Sequence, residues 1–244
     1  MAIFVAVFAA GAGLGSFVRS VVFRYAVPAG EPLRRACPDC GGAVPVSAAP
    51  VVVRPLSARG RCRWCGVRVG SAPGVPEVST GLGFVGAVSV AAPPWTAIAW
   101  CWLVPFAVAL ALVDAAVHRL PDRLVLVAGV GLVVILGGVA GVQGRPGALV
   151  RAVAAGLVLG AFHLVPALAG GMGMGDVKLA LVVGVALGWA GWSCVLVGAC
   201  ASFVVSGMYA GAMLVVRRGG RAGRVPFGPC MIAGACVALA IGSV

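Results

Sequence analysis

One stretch stands apart from the rest of the chain: Gly170-Gly-Met-Gly-Met-Gly-Asp176-Val-Lys178-Leu. Four glycines lead into a carboxylate within a sequence that is otherwise almost continuously apolar. An Asp at the mouth of a membrane helix is costly unless it has a partner or lines a wet cavity. The glycines let the backbone bend and approach closely where a side chain would block it. Only six acidic residues exist to supply a partner. Glu31, Asp39 and Glu77 lie in one polar segment near the N-terminus, whereas Asp114, Asp122 and Asp176 lie at the edges of apolar runs. Two carboxylates held together cannot both ionise easily, so they share a proton and act as one acid and one base. Such a pair can activate water and protonate a leaving amine, or it can relay protons in a transporter. Spacing alone leaves both open.

Asp122 follows Pro121, a combination that suits a turn entering a helix. Asp114 has no such explanation. It follows Ala109-Leu-Ala-Leu-Val113 directly, at a helix end where a negative charge opposes the dipole. Asp176 reads locally as an N-cap, but the glycine run ahead of it marks a more elaborate site. Asp114 and Asp176 are therefore the two acids whose placement suggests function.

A second constellation is Cys37-Pro-Asp-Cys40 and Cys62-Arg-Trp-Cys65, two Cys-x-x-Cys pairs with 21 residues between them. Each pair can present two thiolates, and together they complete a tetrahedral zinc site. Thiols facing a reducing cytoplasm favour zinc over disulfides. With four protein ligands such a site is closed, so its metal is structural. The remaining cysteines (Cys101, Cys194, Cys200, Cys230 and Cys236) fall in apolar helices and read as small buried packing residues. His118 and His163 lack a second ligand at metal spacing.

The elements that must position these residues are membrane helices. Hydrophobic residues make up 61% of the 244, and mean hydropathy is +1.11; a soluble globular domain does not have this balance. Eight apolar runs are candidates to span the membrane: about Ala2–Phe23, Val78–Ala92, Trp95–Val113, Leu124–Gly141, Ala148–Leu168, Val177–Trp189, Ser193–Val216 and Phe227–Ile241. The second and sixth are short, which leaves seven spans as the alternative. The first does not read as a cleavable signal peptide, because no positive charge precedes it. With the N-terminus outside, the odd-numbered loops carry fifteen of the 18 Lys and Arg residues, the even-numbered ones two, and Arg19 lies inside the first span. That asymmetry places Asp114, Asp122 and Asp176 at the cytoplasmic face. It also accounts for the net charge of +12 without nucleic acid. The expected organisation is a first helix (1–23), a cytoplasmic four-cysteine loop (24–77) and a helical core (78–244). The loop, rich in Pro, Gly and Arg, should hold short strands; no internal repeat stands out.

These motifs, in this order, resemble the type IV prepilin peptidases, bacterial membrane aspartic proteases of the Gly-x-Gly-Asp kind. Gly15-Ser-Phe17 followed by Arg24 is similar to the family's first-helix motif, and Gly60-Arg-Cys-Arg-Trp-Cys-Gly66 to its cytoplasmic loop. Pro76-Glu77 with Thr80-Gly81 resembles its second-helix entry, and Pro226-Phe-Gly-Pro229 its last. Asp114 with Leu120-Pro-Asp122, and Gly173-Met-Gly-Asp176-Val-Lys178-Leu, look like its two catalytic motifs. The resemblance implies an all-α, polytopic inner-membrane protein with Asp114 and Asp176 catalytic. Its substrates would be prepilin or pseudopilin-like precursors, cut after a Gly at the end of a basic leader. It also implies membrane lipid around the helices, and often a second activity, methylation of the exposed amine from S-adenosylmethionine. That cofactor's residues are not placed. Two positions depart from the family's pattern: Arg19 stands where Asn is expected, and Gly170 where many members carry Glu. Lys178 is expected either to tune the aspartate pair or to face lipid phosphates.

Two other classes make different demands. A proton-coupled transporter would use the aspartates as a relay and has no need of a zinc loop. A non-enzymatic adaptor would bind a partner through that loop and tolerate loss of either Asp.

Overall fold

The structure, a computed structural model, describes residues 1–28, 30–43, 60–91, 94–216 and 226–242. The described residues are all-α, in eight helices: α1 (Ala2–Tyr25), α2 (Val75–Ser89), α3 (Thr96–Val117), α4 (Asp122–Gln143), α5 (Pro146–Leu168), α6 (Met174–Ala190), α7 (Trp192–Val216) and α8 (Phe227–Gly242). The apolar runs of the sequence thus all become helices. Five of them, α1, α3, α4, α5 and α7, are long and apolar enough to cross a membrane. With 15, 17 and 16 residues, α2, α6 and α8 fall short of the roughly 20 that a bilayer asks for. The long helices expose large apolar side chains, with Leu126 and Val134 on α4, Leu157 on α5 and Leu196 on α7 among them, as suits a chain whose solvent is lipid. The same logic corrects one expectation: Cys194 and Cys230 are buried, but Cys200 and Cys236 are exposed. A small apolar side chain has no reason to hide from lipid. Arg54, Arg59, Arg217, Arg218, Arg221 and Arg224, counted above as loop cations, and Pro93, read above as part of a turn, lie outside the described residues.

The chain divides into two compact units, one of Met1–Ser89 with Trp100–Arg119, the other of Val90–Ala99 with Leu120–Val244. In the first, α1 and α2 pack antiparallel at very close range. A Cβ on Gly11 would come within 2.8 Å of the Thr80 carbonyl, and one on Gly15 within 2.3 Å of Glu77 Cα. Small residues let backbones touch where apolar burial gives helices no reason to associate in lipid. Gly15 therefore brings the start of α2 against α1, and with it the carboxylate of Glu77. Arg19, one turn further along α1, has no exposed surface; its Nε donates to Glu77 Oε1 at 3.0 Å, and its Nη2 pairs with Oε2. The Asn-to-Arg departure is thus answered by an acid on the neighbouring helix.

The second unit repeats the close packing. On α5 and α6, Gly156 and Gly160 face Val185 and Leu181, while Gly184 and Gly188 face Ala155 and Ala152. Between α7 and α8, Gly234 meets Ser202 and the Gly198 carbonyl with room for no added methyl, while a Cβ on Gly198 would touch Ala238 and come within 2.5 Å of Leu187 on α6. Arg151 on α5 donates to the Gly188 and Trp189 carbonyls, each at 2.8 Å, and so satisfies two of the open acceptors at the end of α6. Its charge also suits the negative end of that helix.

Removing one member of a buried ion pair leaves the other uncompensated, at a typical cost of about 3–5 kcal/mol. Glu77→Ala should therefore lower the thermal midpoint of the purified protein far more than Glu31→Ala, an exposed control. Arg19→Met combined with Glu77→Leu should recover most of the loss. Equal melting of Glu77→Ala and the control would contradict this account of the pair.

Candidate functional site

The four-cysteine loop contains no strand among its described residues, contrary to the expectation above. Instead it holds two tight knuckles of the same construction. In the first, Cys37 N–H donates to the Gly42 carbonyl and Gly41 N–H to Cys37. In the second, Cys62 N–H donates to Val67 and Gly66 N–H to Cys62. Each is closed by one isolated bridge, Ala36 with Ala43 and Arg61 with Arg68. Gly41 and Gly66 both turn in the left-handed region, at φ 66 and 72, where glycine is favoured. This is a local internal repeat, visible in the sequence only as Cys-x-x-Cys-Gly written twice.

The knuckles face one another with all four sulfurs within 4.8 Å. Cys37 and Cys65 lie 3.7 Å apart, as do Cys40 and Cys62. Zinc–sulfur bonds of about 2.3 Å in a tetrahedron require sulfurs roughly 3.8 Å apart, so the cluster could hold zinc with little adjustment. The electrostatics agree. Backbone N–H groups of Cys65 and Trp64 aim at Cys62 and lower its thiol to about 6. The Val67 N–H favours the Cys65 thiolate too, but desolvation and the three neighbouring sulfurs outweigh it and push that thiol up to about 12. Cys40 is likewise raised: Gly42 N–H lowers it, but desolvation and the sulfurs of Cys62 and Cys37 prevail. One thiolate forms readily; all four together need a cation.

The cluster is seated on α1. Cys37 and Cys62 pack with Val69 against Phe23, all buried. Gly60, at φ +57, lies over the Arg19 guanidinium, where a Cβ would come within 2.6 Å of Nη1. Trp64 covers Gly42 in the same way, so the second knuckle clasps the first. Beside the cluster, the C-terminal ends of α1 and α3 and the loop enclose a cavity of about 520 Å³. Among the described residues, two arginines and no carboxylate line it.

The three aspartates have different surroundings. Asp114 is 5% exposed and sits in the last turn of α3, which continues to Val117. The helix stops where His118 adopts φ 49, its N–H donating to the Asp114 carbonyl at 2.8 Å. Asp176 is not the N-cap but the third residue of α6, half-buried, and its Oδ2 accepts from the Gly173 N–H at 3.2 Å. Gly173 is the cap residue, so helix α6 begins three residues before the expected Val177. Gly175 leaves room for Leu120, whose Cβ would lie 2.9 Å from a Cβ at that position. Asp122 begins α4 as expected, and its Oδ1 pairs with Lys178 Nζ at 2.7 Å. Both side chains are well exposed, 69% and 44%, so the pair contributes at most about 1 kcal/mol. Lys178 thus has the Asp122 carboxylate as a partner. Asp114 belongs to the first compact unit, Asp122 and Asp176 to the second.

Residues 101–212 match the model of the Type IV leader peptidase family, and residues 9–91 that of the Bacterial Peptidase A24 N-terminal domain. A Prepilin leader peptidase/N-methyltransferase of Burkholderia pseudomallei (strain 1026b) is 31% identical over 216 residues, 86% of this chain and 68% of that protein. One from Aeromonas hydrophila is 30% identical over 212 residues, 84% of this chain and 71% of that protein. The chain belongs to the type IV leader peptidase family. No solved structure matches it. Both Asp114 and Asp176 lie within the stretch that matches the peptidase family, and the four cysteines within the stretch that matches its N-terminal domain. Two pairings escaped sequence reasoning, Arg19 with Glu77 and Lys178 with Asp122. A charge balance held their signal: an Arg inside an apolar span must find one of very few acids.

Purified protein is expected to carry zinc, and a variant with Cys37→Ser and Cys62→Ser to lose it, as read by metal analysis. Each thiolate surrenders the metal when it takes a proton, so zinc should be retained at neutral pH and released as pH falls. A chromogenic chelator would follow the release. Unchanged metal content in the double variant would remove zinc from this site.

Proposed function

We propose that this protein is a membrane aspartic endopeptidase that removes the basic leader of type IV prepilin-like precursors at the cytoplasmic face. Asp114 and Asp176 are its catalytic pair. The observation that carries the reading is how differently the three aspartates are held. Asp122 is exposed and committed to Lys178. Asp114 is buried at a helix end, where its charge is unfavoured. Asp176 sits in the first turn of α6 behind an exposed, glycine-rich approach, where a helix N-terminus supports a carboxylate. The relatives named above act on prepilin leaders, by their names, and this chain carries their substrate class as a proposal.

In this mechanism one aspartate is ionised and the other protonated. The ionised one takes a proton from water as its oxygen attacks the scissile carbonyl. The protonated one gives its proton to the leaving amine as the carbon–nitrogen bond breaks, and the exchanged protons restore the pair. The glycines before Asp176 leave backbone open to an extended peptide entering between substrate helix and leader. Net positive charge in the odd-numbered loops supports placing this chemistry on the cytoplasmic side, with the N-terminus outside.

The relatives' name also includes N-methyltransferase, and methylation of the new N-terminus is proposed as a second activity. S-adenosylmethionine carries a sulfonium cation, and the cavity beside the cysteine cluster presents guanidinium groups without a carboxylate. That cavity does not suit the methyl donor, and no step is assigned through it.

Cleavage of a pilin-like precursor by purified enzyme tests the reading. Asp114→Asn and Asp176→Asn should each reduce cleavage by about 10³-fold or more, since neither half of an acid–base pair works alone. Asp122→Asn should keep most activity. Full activity in either of the first two would overturn the assignment, and complete loss in the third would move Asp122 into the catalytic pair.

A further inference from the structure

We propose that the cavity beside the cysteine cluster binds the phosphate of an anionic phospholipid, with Arg34, Arg68 and Ser71 as donors. The walls are of two kinds. Val22 and Ala26 from the end of α1 and Leu112 from the end of α3 form an apolar side, and the loop brings Arg34, Arg68 and Ser71 to the other. Both arginines lie in the loop, and neither guanidinium forms an ion pair among the described residues. Among the described residues, no carboxylate lines the space to neutralise them. Ser71 Oγ is buried there without a hydrogen-bond partner among the described residues, an arrangement that costs about 1–3 kcal/mol unless a ligand or water meets it.

Two cations and an orphaned hydroxyl call for an anion with several acceptor oxygens, and a phosphate is the usual match for guanidinium groups. Free phosphate and a lipid headgroup share that chemistry. The apolar side decides for the lipid. The cavity lies where two long apolar helices, α1 and α3, both end, which is the level at which headgroups sit above the hydrocarbon. The glycerol and the start of an acyl chain would lie against Val22, Ala26 and Leu112. Asp114 shares α3 with this wall but is not among the described lining residues.

The test is lipid retention by the full-length protein, read by native mass spectrometry and thermal shift in detergent. Added phosphatidylglycerol should be retained and should raise the melting midpoint; phosphatidylcholine and inorganic phosphate should do neither. Arg34→Gln with Arg68→Gln should weaken retention roughly ten-fold for each guanidinium removed, the usual worth of a charge-assisted contact. Ser71→Ala should weaken it less. Arg61→Gln with Arg63→Gln, on the same loop but outside the cavity, controls for general attraction of a cationic protein to anionic lipid and should bind as wild type. Equal losses in both double variants would overturn the site. So would stabilisation by inorganic phosphate equal to that by lipid, which would assign a soluble phosphate instead. Cleavage activity is not a readout, so failure here leaves the peptidase reading untouched.

Discussion

An ionised side chain removed from water costs several kcal/mol unless an opposite charge or hydrogen-bond donors stand in for the lost solvent. With six acids among 244 residues, this chain meets that constraint case by case, and much of its architecture follows. Glu77 answers Arg19, and for that the start of α2 must lie against α1, which only a glycine at position 15 allows. The buried guanidinium in turn dictates Gly60 above it, because any side chain there would strike Nη1. One charge inside the first helix thus determines the contact of two helices and the path of the loop that carries the second cysteine knuckle.

That loop is too short to build a core of its own, and it borrows one. Phe23 of α1 supplies the apolar surface on which Cys37, Cys62 and Val69 close. Four sulfurs within 4.8 Å of one another could hold a zinc ion, which would provide what hydrophobic burial cannot, a cross-link between knuckles far apart in sequence. Small extramembrane units commonly need such a staple. The staple and the seat are complementary: the metal site would set the shape of the loop, and Phe23 and Arg19 fix where that shape sits on the helix.

Helix positions were legible because hydropathy reports the lipid solvent directly, and helix ends coincide with Pro121, Gly144, Pro146 and the glycines before Asp176. The zinc-type cluster was legible for a similar reason, since cysteine spacing reflects ligand geometry. What stayed hidden depends on pairing through space. Arg19 read as a departure from a family pattern, and Lys178 as a residue for the catalytic pair or the lipid, because nothing local names Glu77 or Asp122 as partners. The start of α6 was misjudged by three residues because the glycine run reads as loop. Gly173 nevertheless caps the helix with its backbone while Asp176 reaches back to it. Small-residue packing was only suggested by composition, yet α5, α6 and α8 present Gly and Ala at four-residue spacing, and α7 presents Cys194, Gly198 and Ser202. Composition could not separate this from mere abundance of Gly and Ala.

Four thiolates around one zinc fill its tetrahedral shell and leave no position for water, so the cluster is suited to holding the loop and not to hydrolysis. Both histidines stand outside it. His163 is buried among Phe162, Phe203 and Phe227, with its Nδ1 on the Leu159 carbonyl, and His118 serves as the left-handed stop of α3. Lys178 is engaged by Asp122. On the reading proposed above, acid–base work falls to carboxylates, and among these Asp122 is exposed and already paired with Lys178. Asp114, buried at the wrong end of a helix dipole, and Asp176, held at the right end of another, have unlike environments. Unlike environments are what separates an acid from a base when both are the same residue type.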